Sequence, residues 1–176
     1  MKYLVVSDIH GVKAYISELE KIIKIESPDK IVILGDILSN TSDDYFLAEL
    51  LNLYKDKIIG IRGNNDTYYT EKLLDFDLND YHIERINNKN FFFTHGHLLY
   101  SFDLNNVDII IMGHTHESGE YDFNGIKIVN PGSIALPRDF RHTYMIISDK
   151  IYIKDLDQNI LKEVSIWEIM KKRNFF

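Results

Sequence analysis

The sequence predicts an α/β fold: a parallel βαβαβ unit followed by a strand-rich second half. Two patterns carry this. Short apolar runs alternate with helical-period segments up to about residue 61, and from residue 82 onward short strands follow one another with turn dipeptides between them.

Residues 2–7 (KYLVVS) read as a short strand buried on both faces. From Val12 to about Glu26, apolar residues recur at Val12, Ile16, Leu19 and Ile23 with charged residues between them, which is helical spacing. Ser27-Pro28 stops that helix. Lys30–Leu34 is the second strand and leads to Gly35-Asp36. The next helix runs from about Asp43 to Tyr54, with Asp43 and Asp44 suited to its positive N-terminal end. Residues 57–61 (KIIGI) make the third strand, ending at Arg62-Gly63-Asn64.

Further strands are expected at 82–86, 90–94, 108–112, 120–123, 126–129, 143–148 and 151–154, paired largely antiparallel. Asn124-Gly125 and Asp149-Lys150 are placed to turn hairpins. Two facing sheets, each covered outside by helices, would bury both halves. No linker composition and no fixed-period repeat interrupts the chain, so residues 1–176 are expected to form a single domain.

The composition narrows the function. With 176 residues, 45% hydrophobic and 27% charged, the chain is an ordinary globular protein. It has no cysteine, which excludes disulfides, thiolate metal sites and thiol nucleophiles. A net charge of −7 argues against a non-specific grip on nucleic acid, and no stable nucleic-acid partner is expected. No apolar run approaches membrane-spanning length. The opening MKYLVVSDIHG lacks the length and cleavage site of a secretory signal, so a cytoplasmic location and no membrane association are expected.

The chemistry collects behind the strands. Ser7-Asp8-Ile9-His10-Gly11, Gly35-Asp36, Gly63-Asn64-Asn65-Asp66, Thr94-His95-Gly96-His97 and Gly113-His114-Thr115-His116 each close an apolar strand. Ligands of open parallel sheets bind outside the carboxyl ends of the strands, so these turns should share one rim. Five of the seven histidines lie there. Imidazoles with carboxylate and amide oxygens, and no sulfur, suit a pair of divalent ions: manganese first, with iron, cobalt, nickel or zinc as alternatives. In an extended Asp8-Ile9-His10 the first and third side chains point the same way and reach one ion. His114 and His116 would likewise share a face and serve one ion or two. Asp36 can bridge both. His82 and His142 are expected to be structural.

The stretches SDIHG, VILGD, RGNND, FTHGH, MGHTH and NPGS, in this order and spacing, resemble the calcineurin-like metallophosphoesterases. Within that family they are similar to the small bacterial and archaeal phosphodiesterases of the YfcE type, from Met1 through roughly Asp149. The resemblance implies a four-layer αββα sandwich of two mixed β-sheets flanked by helices. It implies one metal held by Asp8, His10, Asp36 and His116, and a second held by Asp36, Asn64, His95 and His114. The implied reaction is hydrolysis of a small phosphodiester by in-line attack of a hydroxide bridging the two ions. Asn64, His95 and His97 are the catalytic candidates, His97 either as proton donor or as support for its neighbours.

Asn65 departs from the family pattern. Many relatives carry a histidine there, and an amide cannot act as a general acid near neutral pH, which favours esters with good leaving groups; the resemblance to the YfcE-type branch, likewise without histidine here, implies diesters more than monoesters. Asn65, Arg138 and Arg141 are the candidate substrate contacts. The segment from Leu136 to His142 offers two cations and an aromatic ring, against the simpler expectation of a solvated loop. Asn130-Pro131-Gly132-Ser133 would line the rim or merely turn the chain, and Asp66 is expected to orient a turn.

Two rival functions use the same fold. One is a phosphomonoesterase or nucleotidase; the other is a non-catalytic scaffold, like the retromer subunit with its degraded metal site. No expected ligand position is lost here. Members of the family are often oligomers, so a homodimer or homotetramer is expected. The C-terminal Lys171-Lys172-Arg173-Asn174-Phe175-Phe176 would fray or dock on another subunit.

Overall fold

The computed structural model describes residues 1–167. The first sheet contains seven strands. β1 (Tyr3–Val6), β2 (Lys30–Ile33), β3 (Ile58–Ile61) and β4 (Leu78–Asn79) run parallel, with α1 (Lys13–Glu26), α2 (Asp44–Asn52) and α3 (Tyr68–Glu71) in the connections. The second sheet contains β5 (Tyr81–Ile86), β6 (Lys89–Thr94), β7 (Ile109–Met112), β8 (Ser118–Phe123) and β9 (Ile126–Pro131). The chain then returns to the first sheet as β10 (Thr143–Ile147), β11 (Ile151–Asp155) and β12 (Ile160–Val164). The strand orders are β12-β11-β10-β1-β2-β3-β4 and β5-β6-β7-β9-β8.

Side-chain alternation explains how the layers close. In β1, Leu4 and Val6 face α1 and α2, while Tyr3 and Val5 face the second sheet. β2 repeats this with Ile31 and Ile33 toward the helices and Val32 toward the second sheet. In the second sheet, Phe91, Phe93, Ile109 and Ile111 point inward. Phe92, Ile110 and Ile128 point outward, where Leu99, Val107, Phe102 and Leu104 cover them. The fourth layer is thus the segment around a 3₁₀ turn (Leu99–Ser101). Among the described residues it contains no α-helix.

α1 ends as expected: Ser27 adopts φ 43° and its N–H bonds to Ile23 O, just before Pro28. The Asp44 side chain accepts the backbone N–H groups of Ser39 and Thr41, bracing the loop into α2. Asn124-Gly125 turns the β8–β9 hairpin with φ 52° and 79°.

The second half pairs largely antiparallel, as expected: β5 with β6, β8 with β9, β10 with β1 and β11, and β11 with β12. The exception lies inside the second sheet. β6, β7 and β9 are parallel, flanked by antiparallel β5 and β8. The physical reason was in the residues: Phe91–Phe93 and Ile109–Ile111 are buried on both faces, as parallel strands are. α3, β4 and β12 were not anticipated; the first two are only four and two residues long. The segment Lys171–Phe176 lies outside the described residues.

Candidate metal centre

The turns after β1, β2, β3, β6 and β7 meet at one end of the two sheets, as the strand order requires. Backbone bonds zip the first two together: His10 N–H donates to Asp36 O (2.9 Å) and Gly11 N–H to Ile37 O (2.8 Å). His114 N–H donates to Asp8 Oδ2 across the sheets (3.0 Å).

The backbone there is not extended. Asp8, His10, Asp36, His114 and His116 all have φ between 51° and 68°. Asp8 and His10 therefore converge through two left-handed residues, not through strand alternation as their spacing suggested. Such residues cost roughly 1–2 kcal/mol each and persist where the surroundings fix them. Two glycines provide the room. A Cβ on Gly63 would stand 2.2 Å from Asp36 N and Oδ1, and one on Gly113 would overlap Ser7 Oγ.

Ligand atoms gather in two groups. In the first, one donor atom from each of Asp8, His10, Asp36 and His116 lies within 4.8 Å of all the others. His10 Nε2 is 3.4 Å from His116 Nε2 and 3.7 Å from Asp36 Oδ2, and His116 Nε2 is 3.3 Å from Asp8 Oδ1. In the second, His95 Nε2 lies 3.5 Å from Asp36 Oδ2, 3.1 Å from Asn64 Oδ1 and 3.2 Å from His114 Nδ1. Asp36 Oδ2 belongs to both.

The polarity of these groups fits cations. His95 Nδ1 pairs with Leu34 O (2.6 Å) and His116 Nδ1 with Leu136 O (2.7 Å). Each carbonyl claims the ring proton, so each Nε2 turns its lone pair into the cluster. Asp8 Oδ1 is buried there with no hydrogen-bond partner. Converging lone pairs and anionic oxygens repel unless protons or metal ions sit among them.

The charges respond accordingly. Burial opposes ionisation of Asp36, yet hydrogen bonds from His95 and Asn65 hold its pKa far below the usual carboxylate range. His95 is raised, because Asp36 and Asp8 outweigh its burial. His116 is raised mainly by Asp8, whose Oδ1 stands 3.3 Å from its Nε2. Burial lowers His10, His114 and His97, and neighbouring imidazoles add to the effect.

The other anticipated residues divide. Asn65 lies against the shared carboxylate: its N–H and Nδ2 both donate to Asp36, at 2.9 and 2.7 Å. Asp66 accepts the N–H groups of Asp36, Ile37 and Gly63, a structural clamp between two ligand turns. His97 sits 5.3 Å ring to ring from His95, with Nδ1 buried and unbonded. Arg138 and Arg141 are exposed; Arg138 N–H donates to His116 O, and its charge is felt at His116.

Asn130 and Ser133 are buried braces. Asn130 Nδ2 donates to Gly113 O and Thr115 Oγ1, and Ser133 Oγ donates to Asp8 O. His142 stacks on Tyr15 and His82 pairs with Glu84, both structural as expected.

Residues 1–150 match the calcineurin-like phosphoesterase superfamily domain. The phosphodiesterase YfcE of Escherichia coli is 29% identical over 181 aligned residues, covering 94% of this chain and 98% of that protein. A phosphodiesterase of Methanocaldococcus jannaschii is 29% identical over 143 residues, covering 75% and 83%. The solved YfcE structure, described as a phosphoesterase, superposes with a TM-score of 0.82 at 28% identity over 94% of this chain and all of that one. Vacuolar protein sorting 29 of Cryptosporidium parvum shares the fold alone, with a TM-score of 0.65 at 20% identity over 93% and 97%. The ligand turns, the two mixed sheets and the extent of the matched region agree: this chain belongs to the calcineurin-like phosphoesterase superfamily as a metal-dependent phosphoesterase.

Proposed function

We propose that the protein hydrolyses small phosphodiesters with two divalent metal ions. The observation that carries this is Asp36 Oδ2 standing between the Asp8, His10 and His116 ligand atoms on one side and His95, with Asn64 and His114 beside it, on the other. Asp8, His10, Asp36 and His116 hold one ion; Asp36, Asn64, His95 and His114 hold the other. When bound, the ions supply an activated water for in-line attack and neutralise charge on the phosphoryl oxygens. Manganese is the first candidate, ahead of iron, cobalt, nickel or zinc.

The chain's own groups do the rest. Leu34 O and Leu136 O hold His95 and His116 in the tautomer whose Nε2 is free to ligate. Asn65 and Asp66 fix the shared carboxylate and the turn beneath it. Arg138 and Arg141 meet the phosphate charge from the rim. Asn65 gives no proton to a departing oxygen, so esters whose leaving group departs unaided are preferred, and diesters over monoesters. The relatives named phosphodiesterase support that preference. The protein acts in the cytoplasm, as a homodimer or homotetramer, with no nucleic-acid or membrane partner. No helix among the described residues is long and apolar enough to cross a membrane.

The test is a metal-stripped preparation assayed on bis(p-nitrophenyl) phosphate and on p-nitrophenyl phosphate, with each metal restored in turn. Metal-dependent cleavage with the diester ahead is expected. A faster monoester would move the assignment to a phosphomonoesterase. Folded protein silent on both with every metal would leave the scaffold function.

A further inference from the structure

The loop from Leu136 to Arg141 is fastened directly to a metal-ligand residue. His116 Nδ1 donates to Leu136 O (2.7 Å) and Arg138 N–H donates to His116 O (2.9 Å). Its other end is pinned by Asp139, whose Oδ2 accepts Ser118 N–H and Oγ–H at 2.9 and 2.7 Å. Asp139 Oδ1 accepts Arg141 N–H. The acid of the loop is therefore spent on Ser118 and on the backbone of Arg141. Neither Arg138 nor Arg141 has a hydrogen-bond or ion-pair partner for its guanidinium among the described residues.

Between the two arginines stands Phe140, 93% exposed and at φ 63°. One exposed phenylalanine is ordinary, but a bulky side chain both exposed and left-handed is not. Several other exposed aromatics are covered in part: Lys72 lies over Tyr68, Lys13 over Phe46, and Tyr100 meets Phe123 edge-on. No ring or cation packs on Phe140 among the described residues. A rigid loop thus holds a bare aromatic face and two uncommitted cations on the His116 side of the centre.

We propose that Phe140 is a specificity residue, stacking on a planar aromatic group of the substrate while Arg138 and Arg141 meet its phosphate. The preferred substrates are accordingly diesters of aryl or nucleobase-bearing alcohols, not simple alkyl diesters. This rests on the phosphodiesterase function proposed above. Aromatic stacking on a base is sequence-tolerant and suits recognition of a class of esters more than of one compound.

The experiment compares kcat/KM for bis(p-nitrophenyl) phosphate and methyl p-nitrophenyl phosphate, which share a leaving group and differ in the second ester. In the wild type the aryl diester is favoured. Phe140→Ala should cut that preference about tenfold, mostly through KM, and Phe140→Trp should restore it. Tyr45→Ala, an exposed aromatic outside the site, should leave the preference unchanged. A preference that stays within twofold in folded Phe140→Ala overturns the proposal. So does a change in oligomer mass on light scattering, which would mean that Phe140 seats a second copy of the chain. Wild-type protein that cleaves neither ester fails at the earlier step and removes the phosphodiesterase assignment itself.

Discussion

Two buried clusters of charge are built on opposite principles. At the far end of α1, Glu26 accepts hydrogen bonds from Tyr144, Lys154 and Lys2, and both its oxygens are satisfied. At the rim, Asp8 Oδ1 has no hydrogen bond and the Nε2 atoms of His10 and His95 converge on Asp36. The first cluster is complete as the chain stands. The second is complete only with cations added. Burial and charge alone do not separate a structural network from a site; the count of satisfied atoms does.

The contrast breaks most visibly in activity. Asp36→Ala should lower kcat/KM for a diester by roughly a thousandfold, about 4 kcal/mol of barrier, as steady-state kinetics would read it. Glu26→Gln should leave kcat/KM of the folded protein within twofold of wild type in the same assay. Added manganese sharpens the difference in stability. At about a hundred times its dissociation constant it should raise the unfolding free energy by about 2.7 kcal/mol in urea titrations, and Asp8→Asn should lose most of that gain. Without metal, Asp8→Asn should cost less than about 1 kcal/mol, because the oxygen lost made no hydrogen bond.

The Glu26 cluster should behave in reverse. Glu26→Gln leaves Lys2 and Lys154 without their partner and should cost about 2 kcal/mol with or without metal. The finest separation is in pH. Burial opposes ionisation of Glu26, but Lys154, Lys2 and Tyr144 outweigh it and hold the pKa down from 4.5 to about 2. A lowered folded pKa contributes stability that is complete above the unfolded value and lost as pH falls through the folded one. Wild type should therefore lose stability more steeply than Glu26→Gln between pH 4.5 and pH 2 in acid titrations followed by circular dichroism. Equal slopes would remove the network from the account.

The sequence made the ligand turns legible because each residue that bears chemistry follows a run of buried apolar residues. β1, α1, β2 and β3 were readable from period and from stops such as Ser27-Pro28. β12 was not, since four of its five residues are exposed and carry no alternation. The pairing of β6 with β7 depends on a crossover between residues 95 and 108 that has no periodic signal. The left-handed ligands were also hidden, because His and Asp give no local cue for positive φ as glycine does. The partner of Asn65 is 29 positions away, so its role was invisible to any reading of neighbours.

The centre also has a timetable. Asp8 and His114 meet across 106 residues of chain, and Ser133 reaches Asp8 across 125. During synthesis at about 5–20 residues per second, the first ligands wait on the order of 5–20 s for the last. A nascent chain stopped before His114 presents only Asp8, His10, Asp36, Asn64 and His95, and cannot close either four-residue group. Closure of the two proposed groups therefore waits for the chain through His116, and a polypeptide cut short of His114 lacks two of their members.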